Sequence, residues 1–199
     1  AFKYRTPVLI LSDGAIGQMM EKVILPEQRP RWSEEEIRKN TPWATVGRTK
    51  DRKNNIITSL DLDPNAQERH NEHLQRKYKT IEENEVRYEE IQCEDAEVIL
   101  VAYGTSARVC QKSIELAREE GIKLGLIRPI SLFPYPSAAI QKYTDQVKGF
   151  LSVEMSAGQM VEDVRLAVNG KVKVEHYGRM GGMVPSPEDI VEVIKERIL

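Results

Sequence analysis

Cysteine is nearly absent: Cys93 and Cys110 are the whole thiol inventory of the 199 residues. A cubane iron–sulfur cluster takes about four cysteine thiolates, so this chain alone is not expected to ligate one. A disulfide between the two is not expected in a reducing compartment, where such cysteines behave as small buried hydrophobes. Also missing is any apolar run near the ~20 residues that a membrane-crossing helix requires. No basic-then-apolar secretion signal opens the chain. Charge is balanced, with 29 Lys and Arg against 31 Asp and Glu, so the formal net charge of −2 gives no general attraction to nucleic acid or anionic membrane. Neither phosphate-binding glycine fingerprint, GxGxxG or GxxxxGK[ST], occurs. Together these absences predict a cytoplasmic protein with no nucleic-acid partner, no membrane partner and no metal site of its own.

What is present begins abruptly. Pro7 to Ser12 is a β-branched and aliphatic run that reads as a buried strand, closed by the turn dipeptide Asp13-Gly14. Ala15 to Val23 reads as a short helix carrying Ile16, Met19, Met20 and Val23 on one side. One strand and one helix cannot bury their own apolar faces. Residues 1–25 are therefore expected to be the end of an upstream domain, or else an added edge of the main one.

From Ile24 to Asp63 regular patterning fails, interrupted by Pro26, Pro30 and Pro42, and SEEEI at 33–37 allows a turn or two of helix. A stretch of about forty residues without strong elements is usually functional or partner-bound. Trp32 and Trp43 within it are candidate anchors on a neighbour, or pack on the chain's own surface. Pro64 to about Ile91 is predicted as one long helix, with Asp63 as N-cap and Pro64 at the first helical position. Its narrow apolar stripe suits a linker, so residues 26–92 are expected to connect two domains.

Beyond Cys93 the alternation is clear. Strands are predicted at Glu97–Tyr103, Lys123–Arg128, Gly149–Val153 and Lys171–His176. Helices are predicted at Ser106–Glu120, Ser137–Asp145, Gln159–Val168 and Pro187–Ile198. That order implies βαβ crossovers and an α/β domain, residues 93–199, with a mostly parallel sheet flanked by helices.

Candidate chemistry is sparse. Gly104-Thr105-Ser106 leads from a strand into a helix, a place where phosphates sit, but Thr105 or Ser106 as an ordinary helix cap explains the residues better. His70 and His73 share a helix face without the HExxH pattern or a third ligand, and read as a solvated face. Arg48, Lys50, Arg52 and Lys53 cluster after Gly47, where clustered cations could grip a phosphorylated cofactor; Asp51 lies among them. Glu154 ends a strand at the carboxyl edge of the sheet, where open α/β folds place ligands. With Gln159 and Arg179 it could line a cleft or a subunit interface, and the interface is the expectation.

Several runs in fixed order match a known pattern: PVLILSDGAIGQMME (7–21), IEENEVRYEE (81–90), AEVILVAYGTSARV (96–109), LIRPISLFPYP (126–136), VEMSAGQMVEDVRLAV (153–168) and YGRMGGMVPSPEDI (177–190). Together they resemble the alpha subunit of 2-oxoacid:ferredoxin oxidoreductases, and within that family the 2-ketoisovalerate (3-methyl-2-oxobutanoate) type. The resemblance implies a holoenzyme that decarboxylates a 2-oxoacid on thiamine diphosphate and magnesium, sends electrons through iron–sulfur clusters to ferredoxin, and forms an acyl-coenzyme A. It implies that residues 1–25 end a thiamine pyrimidine-binding domain and that 93–199 are a transketolase C-terminal-like domain. Beta and gamma or delta subunits would be partners holding most of the cofactors, this chain binding none alone. No catalytic residue is carried over, because the matching motif has no counterpart here. Arg48 and Lys50 are the candidate coenzyme A phosphate contacts. Two other classes share parts of the pattern: another thiamine enzyme's C-terminal domain (transketolase or a lipoamide-type dehydrogenase), or a non-catalytic α/β binding module.

Overall fold

Three mostly apolar strands organise the α/β unit, because a parallel strand covered by helices on both faces reads as a near-continuous hydrophobic run. In the computed structural model, which describes residues 1–45, 47–48, 50 and 53–199, these are β2 (Val98–Val101), β3 (Leu124–Pro129) and β4 (Gly149–Glu154). With β5 (Lys173–Gly178) they run parallel in the order β3-β2-β4-β5. All four expected strands differ by one or two residues at their ends, the first shortening, the last of the three in the core lengthening and the other two shifting, and the expected α/β architecture stands.

Alternation along each strand divides the interior in two. Val98, Leu100, Leu124, Leu126, Leu151 and Val153 face α4 (Gly104–Glu119) and α7 (Pro187–Arg197). Ile99, Val101, Ile127 and Phe150 face α5 (Ser137–Gln141) and α6 (Met160–Val168). The two cysteines fall in different cores, Cys110 with the first and Cys93 with the second, so the sheet separates them. Helix ends follow local chemistry. Ser186 accepts the Asp189 N–H at 3.1 Å ahead of Pro187. Asn169 takes the left-handed conformation that ends α6.

One strand escaped the sequence pattern. The long helix α3 spans Pro64–Asn84, not 64–91, and Tyr88–Ile91 forms β1, antiparallel to β3. Asp63 does accept the Asn65 N–H at 3.0 Å, as expected of its N-cap. The sequence YEEI is half charged, and it pairs because it lies on an edge. Glu89 sits opposite Arg128 and bonds it at 2.7 Å, while Tyr143 and Lys142 both donate to Glu90.

The described chain divides into two units: Leu11–Met19 with Thr80–Leu199, and Ala1–Ile10 with Met20–Lys79. In the second, α2 (Glu34–Asn40) carries a capping box in which Ser33 and Glu36 exchange hydrogen bonds. Trp43 packs on that unit's own surface, 5.3 Å from the Phe2 ring and 5.2 Å from the Arg5 guanidinium. Trp32 is half exposed.

The expected strand at Pro7–Ser12 is not formed: among the described residues the run has no ladder partner, and Val8, Leu9, Ile10 and Leu11 are exposed. A strand cannot persist without a neighbour to take its backbone groups. The helix expected at Ala15–Val23 shrinks to α1, Gly14–Gln18. Gly14 and Gly17 weaken it, and no residue of it is buried.

Candidate functional site

Strands β2 and β4 are neighbours whose following helices leave to opposite faces of the sheet. That reversal opens a crevice beyond their carboxyl ends, the usual ligand position in an open α/β sheet. Two helix amino termini meet there, each an anion receptor by virtue of its free N–H groups. The chain fills both with its own carboxylates.

At α6 the filler is Glu154, the last residue of β4 and only 6% exposed. Its Oε2 accepts the N–H groups of Gln159 at 2.9 Å and Met160 at 3.1 Å, and the Ser156 hydroxyl at 2.9 Å. Its Oε1 accepts the Val161 N–H at 2.9 Å and the Ser152 hydroxyl at 3.0 Å. Burial alone would raise this carboxyl's pKa. Donation from Gln159, Ser156, Val161 and Ser152 outweighs burial and holds it below the usual glutamate value. A glutamate at the end of β4 thus does the work of a bound anion.

Close backbone approach makes this possible. Gly178, paired with Glu154 in the ladder, leaves no room for a side chain: a Cβ there would stand 2.2 Å from the Ser156 carbonyl oxygen. Gly158, at φ +110°, turns the chain into α6 in a conformation that side chains disfavour. His176 flanks the same turn with its Nε2 3.8 Å from Glu154 Oε1, and that nitrogen is buried without a hydrogen-bond partner.

At α4 the arrangement is non-local and corrects the cap expected of Thr105 or Ser106. The N-cap position is Tyr103, which makes no side-chain cap. Asp13 instead accepts the Thr105 N–H through Oδ2 at 3.4 Å and the Ile16 N–H through Oδ1 at 2.9 Å, so one carboxylate caps both α1 and α4. Burial raises the Asp13 pKa, while donation from Ile16 and Thr105 carries it below the ordinary aspartate value. Gly104, at φ +59°, takes the left-handed conformation that favours glycine, while a Cβ there would meet Asp13 Oδ2 at an ordinary contact distance of 3.4 Å.

The crevice is consequently acidic. Burial, then the charges of Glu154 and Asp13, push the Tyr103 hydroxyl's pKa upward. Burial, then Glu154 and Glu162, raise the Asp163 carboxyl. Both amino termini thus spend free N–H groups on carboxylates of the chain itself.

The structure brings Glu154, Gln159 and Arg179 together. The Arg179 N–H donates to the Glu154 carbonyl at 3.1 Å, and its guanidinium stands 3.6 Å from Asp189, which also accepts the Tyr177 hydroxyl. Gln159 is exposed and Arg179 partly so, whereas the Glu154 carboxylate is spent inside the chain. Arg48, Lys50 and Lys53 belong to the other unit and are exposed; Asp51 and Arg52 lie outside the described residues. His70 and His73 are exposed on α3 with ring centroids 6.4 Å apart, and among the described residues no group of three or more metal-ligating side chains occurs. No described helix is long and apolar enough to cross a membrane. Asp13 was missed as a functional residue in the sequence; its only local sign is the Asp-Gly turn. Ser152 and Ser156, spaced two residues either side of Glu154, were a readable hint of its support.

Comparison with known proteins places this geometry. Residues 96–190 match the pyruvate:ferredoxin oxidoreductase core domain II family. The ketoisovalerate oxidoreductase subunit VorB of Methanothermobacter thermautotrophicus is 48% identical over 196 residues, covering 98% of this chain and 54% of that protein. The 2-oxoglutarate synthase subunit KorA of Archaeoglobus fulgidus is 31% identical over 197 residues, again 98% of this chain and 54% of that one. The chain thus spans about half the length of these relatives. Among solved structures, the 2-oxoglutarate:ferredoxin oxidoreductase from Magnetococcus marinus superimposes with a TM-score of 0.61 at 23% identity, covering 70% of this chain and 24% of that one, which supports the fold. The crevice-bearing α/β unit thus coincides with the stretch, residues 96–190, that matches the pyruvate:ferredoxin oxidoreductase core domain II family.

Proposed function

We propose that the chain is part of the alpha-type subunit of a 2-oxoacid:ferredoxin oxidoreductase that converts a branched-chain 2-oxoacid, coenzyme A and oxidised ferredoxin to the acyl-coenzyme A, carbon dioxide and reduced ferredoxin. The observation that carries it is 48% identity to a ketoisovalerate oxidoreductase subunit along 98% of the chain, against 31% to a 2-oxoglutarate synthase subunit. In this reading the chain supports and packs, while thiamine diphosphate, magnesium and the iron–sulfur clusters are held in the holoenzyme elsewhere. The thiol chemistry fits that division, because Cys93 and Cys110 lie in separate cores and cannot share a ligand.

Two surfaces serve the complex in this proposal. Arg48 and Lys50, exposed in one unit, meet coenzyme A phosphates by charge. Gln159 and Arg179 lie on a face toward the beta and gamma or delta subunits, with Glu154 holding it from beneath. Exposed Met180, Met183 and Val184 beside Arg179 favour such a contact.

The test is the full-length subunit assembled anaerobically with its partners and assayed for coenzyme A-dependent ferredoxin reduction. Expected is a kcat/KM for 3-methyl-2-oxobutanoate at least about tenfold above that for 2-oxoglutarate or pyruvate. Preference for 2-oxoglutarate would overturn the branched-chain assignment, and no oxoacid-dependent reduction would overturn the activity. Arg48→Ala with Lys50→Ala should raise the KM for coenzyme A and leave that for the oxoacid unchanged; an unaltered coenzyme A KM removes those contacts.

A further inference from the structure

The sheet ends in two unequal edges. At one, β1 is four residues long and half glutamate, with Glu89 bonded by Arg128 and Glu90 by Lys142 and Tyr143. Shortness and charge of this kind keep an edge from recruiting another strand. At the other, β5 runs six residues without a proline, and β4 is its one ladder partner among the described residues.

Local geometry tells which backbone groups of β5 face outward. The Lys173 carbonyl oxygen lies 3.1 Å from the Cβ position of Gly149, its ladder partner, and the Arg179 N–H donates to the Glu154 carbonyl. Backbone groups alternate in direction along a strand, so Lys173, Glu175 and Tyr177 turn theirs to β4 while Val174 and His176 turn theirs away. The Arg197 guanidinium, which lies outside the sheet, donates to the His176 carbonyl at 3.3 Å, as an outward group permits. Among the described residues, Val174 makes no backbone bond outside the ladder. Its side chain packs toward the core that holds Phe150, which leaves Lys173 and Glu175 together on the other face, 3.2 Å apart.

We propose that β5 pairs with β5 of a second copy of this chain, antiparallel, about a two-fold axis at Val174. Facing residues in an antiparallel pair are both hydrogen-bonded or both not, so such an axis passes through one residue. Lys173 and Glu175 are the formal charges of the strand, and an axis at Val174 is the one that sets each opposite the other's counterpart. An axis at Lys173 or at Glu175 would set like charges face to face, which is destabilising. At Val174, an outward residue, the two copies exchange both backbone bonds and share a network of four alternating charges. The sheet then continues across both copies. The proposal concerns association alone and is independent of the oxoacid assignment.

The test uses full-length subunits carrying Lys173→Cys or Glu175→Cys, equilibrated in a glutathione redox buffer; both native thiols are buried. An equal mixture of the two variants should give at least about tenfold more covalent dimer on a non-reducing gel than either alone, because only facing cysteines come within bridging distance. Strong linking of either variant with itself would put the axis at that residue and overturn the proposal, and so would no linking in the mixture. Sedimentation gives a second reading. Lys173→Glu should weaken the dimer at least about tenfold, and adding Glu175→Lys should restore it to within about threefold, since the facing charges are again opposite. Unchanged association in Lys173→Glu would overturn the pairing, as would no recovery in a double variant that melts with the wild type.

Discussion

The Glu154 carboxylate lies 2.9 Å from the amide nitrogen of Val161, seven residues further along the chain. It is thereby the amino-terminal anion of the helix that its own strand leads into. Five donors converge on it, two from the α6 backbone, one from its N-cap Gln159 and two from flanking serines. Removing it leaves buried N–H groups without an acceptor, at the cost of their desolvation. Glu154→Ala is expected to destabilise the α/β unit by about 3–5 kcal/mol, and Glu154→Gln by about 2, since the amide keeps one acceptor but faces donors with its NH2 group. Urea unfolding checks both. A loss under 1 kcal/mol for the alanine variant would show that the carboxylate is not the organising group.

The same residue gives the fold an acid limit. Its folded pKa is depressed, so the unfolded state binds the proton more tightly and the charged, bonded form stabilises the native state. That contribution is complete above the unfolded glutamate pKa of about 4.3 and is lost as pH falls through the lower folded value. Asp13 acts in the same direction, its pKa also lowered. Stability should therefore fall steeply below about pH 4.3, and the Glu154→Gln variant should show a shallower acid dependence in thermal melts. Parallel curves for the two proteins would contradict this.

Gly178 is the backbone counterpart. A Cβ would stand 2.2 Å from the Ser156 carbonyl oxygen and 2.6 Å from the His176 ring, so the β5 end or the 155–158 turn must move. Gly178→Ala is expected to cost about 2–3 kcal/mol through that displacement. Gly17→Ala is the control, because nothing lies within 4 Å of its Cβ position and it sits in a helix. That change should be neutral or slightly stabilising. Comparable losses in the two would show that the close approach is not what selects glycine at 178.

Legibility in the sequence tracked locality. VILV, LGLIR and GFLSV are mostly apolar, with Arg128 and Ser152 the exceptions, and a parallel sheet covered on both sides is the structure that wants such runs, so the core strands were readable. Tyr88–Ile91 was not, because YEEI after a helix-rich stretch has no apolar alternation; its strand character comes from Arg128 opposite Glu89, 39 residues away. The supports of Glu154 were within reach, all lying between Ser152 and Val161. Asp13 was beyond reach, since its partner Thr105 is 92 residues distant and no local pattern names it. The run from Pro7 reads as a buried strand in the sequence but is exposed and unpaired among the described residues, because a strand is defined by a neighbour and not by its own residues.

The thiols report the two cores independently. Burial pushes the Cys93 thiol up to about 11, and the Cys110 thiol, on the fully buried face of α4, still further above its ordinary range. Since the thiolate is the reactive form, both should be silent to Ellman's reagent at pH 8 in native buffer and react as two equivalents in guanidinium. Prompt labelling of either in native buffer would show that its core opens. Cys93 is bounded by the edge strand β1, so it is expected to label first as denaturant rises.

The last prediction separates a cap from a tether. Asp13 joins α1 to α4 by accepting one N–H from each, so its loss should release the short segment more than it weakens the domain. Asp13→Ala is expected to cost about 1 kcal/mol or less in global unfolding, the ordinary price of an exposed cap. Asp13→Asn, which retains an acceptor, should cost less than the alanine. Hydrogen exchange should nonetheless show the amides of Ile16 and Thr105 losing protection in the alanine variant while Leu100 and Leu151, at the sheet centre, keep theirs. Uniform loss across the sheet would instead make Asp13 a structural member of the core, and no loss at Thr105 would mean that α4 draws its amino-terminal partner from water.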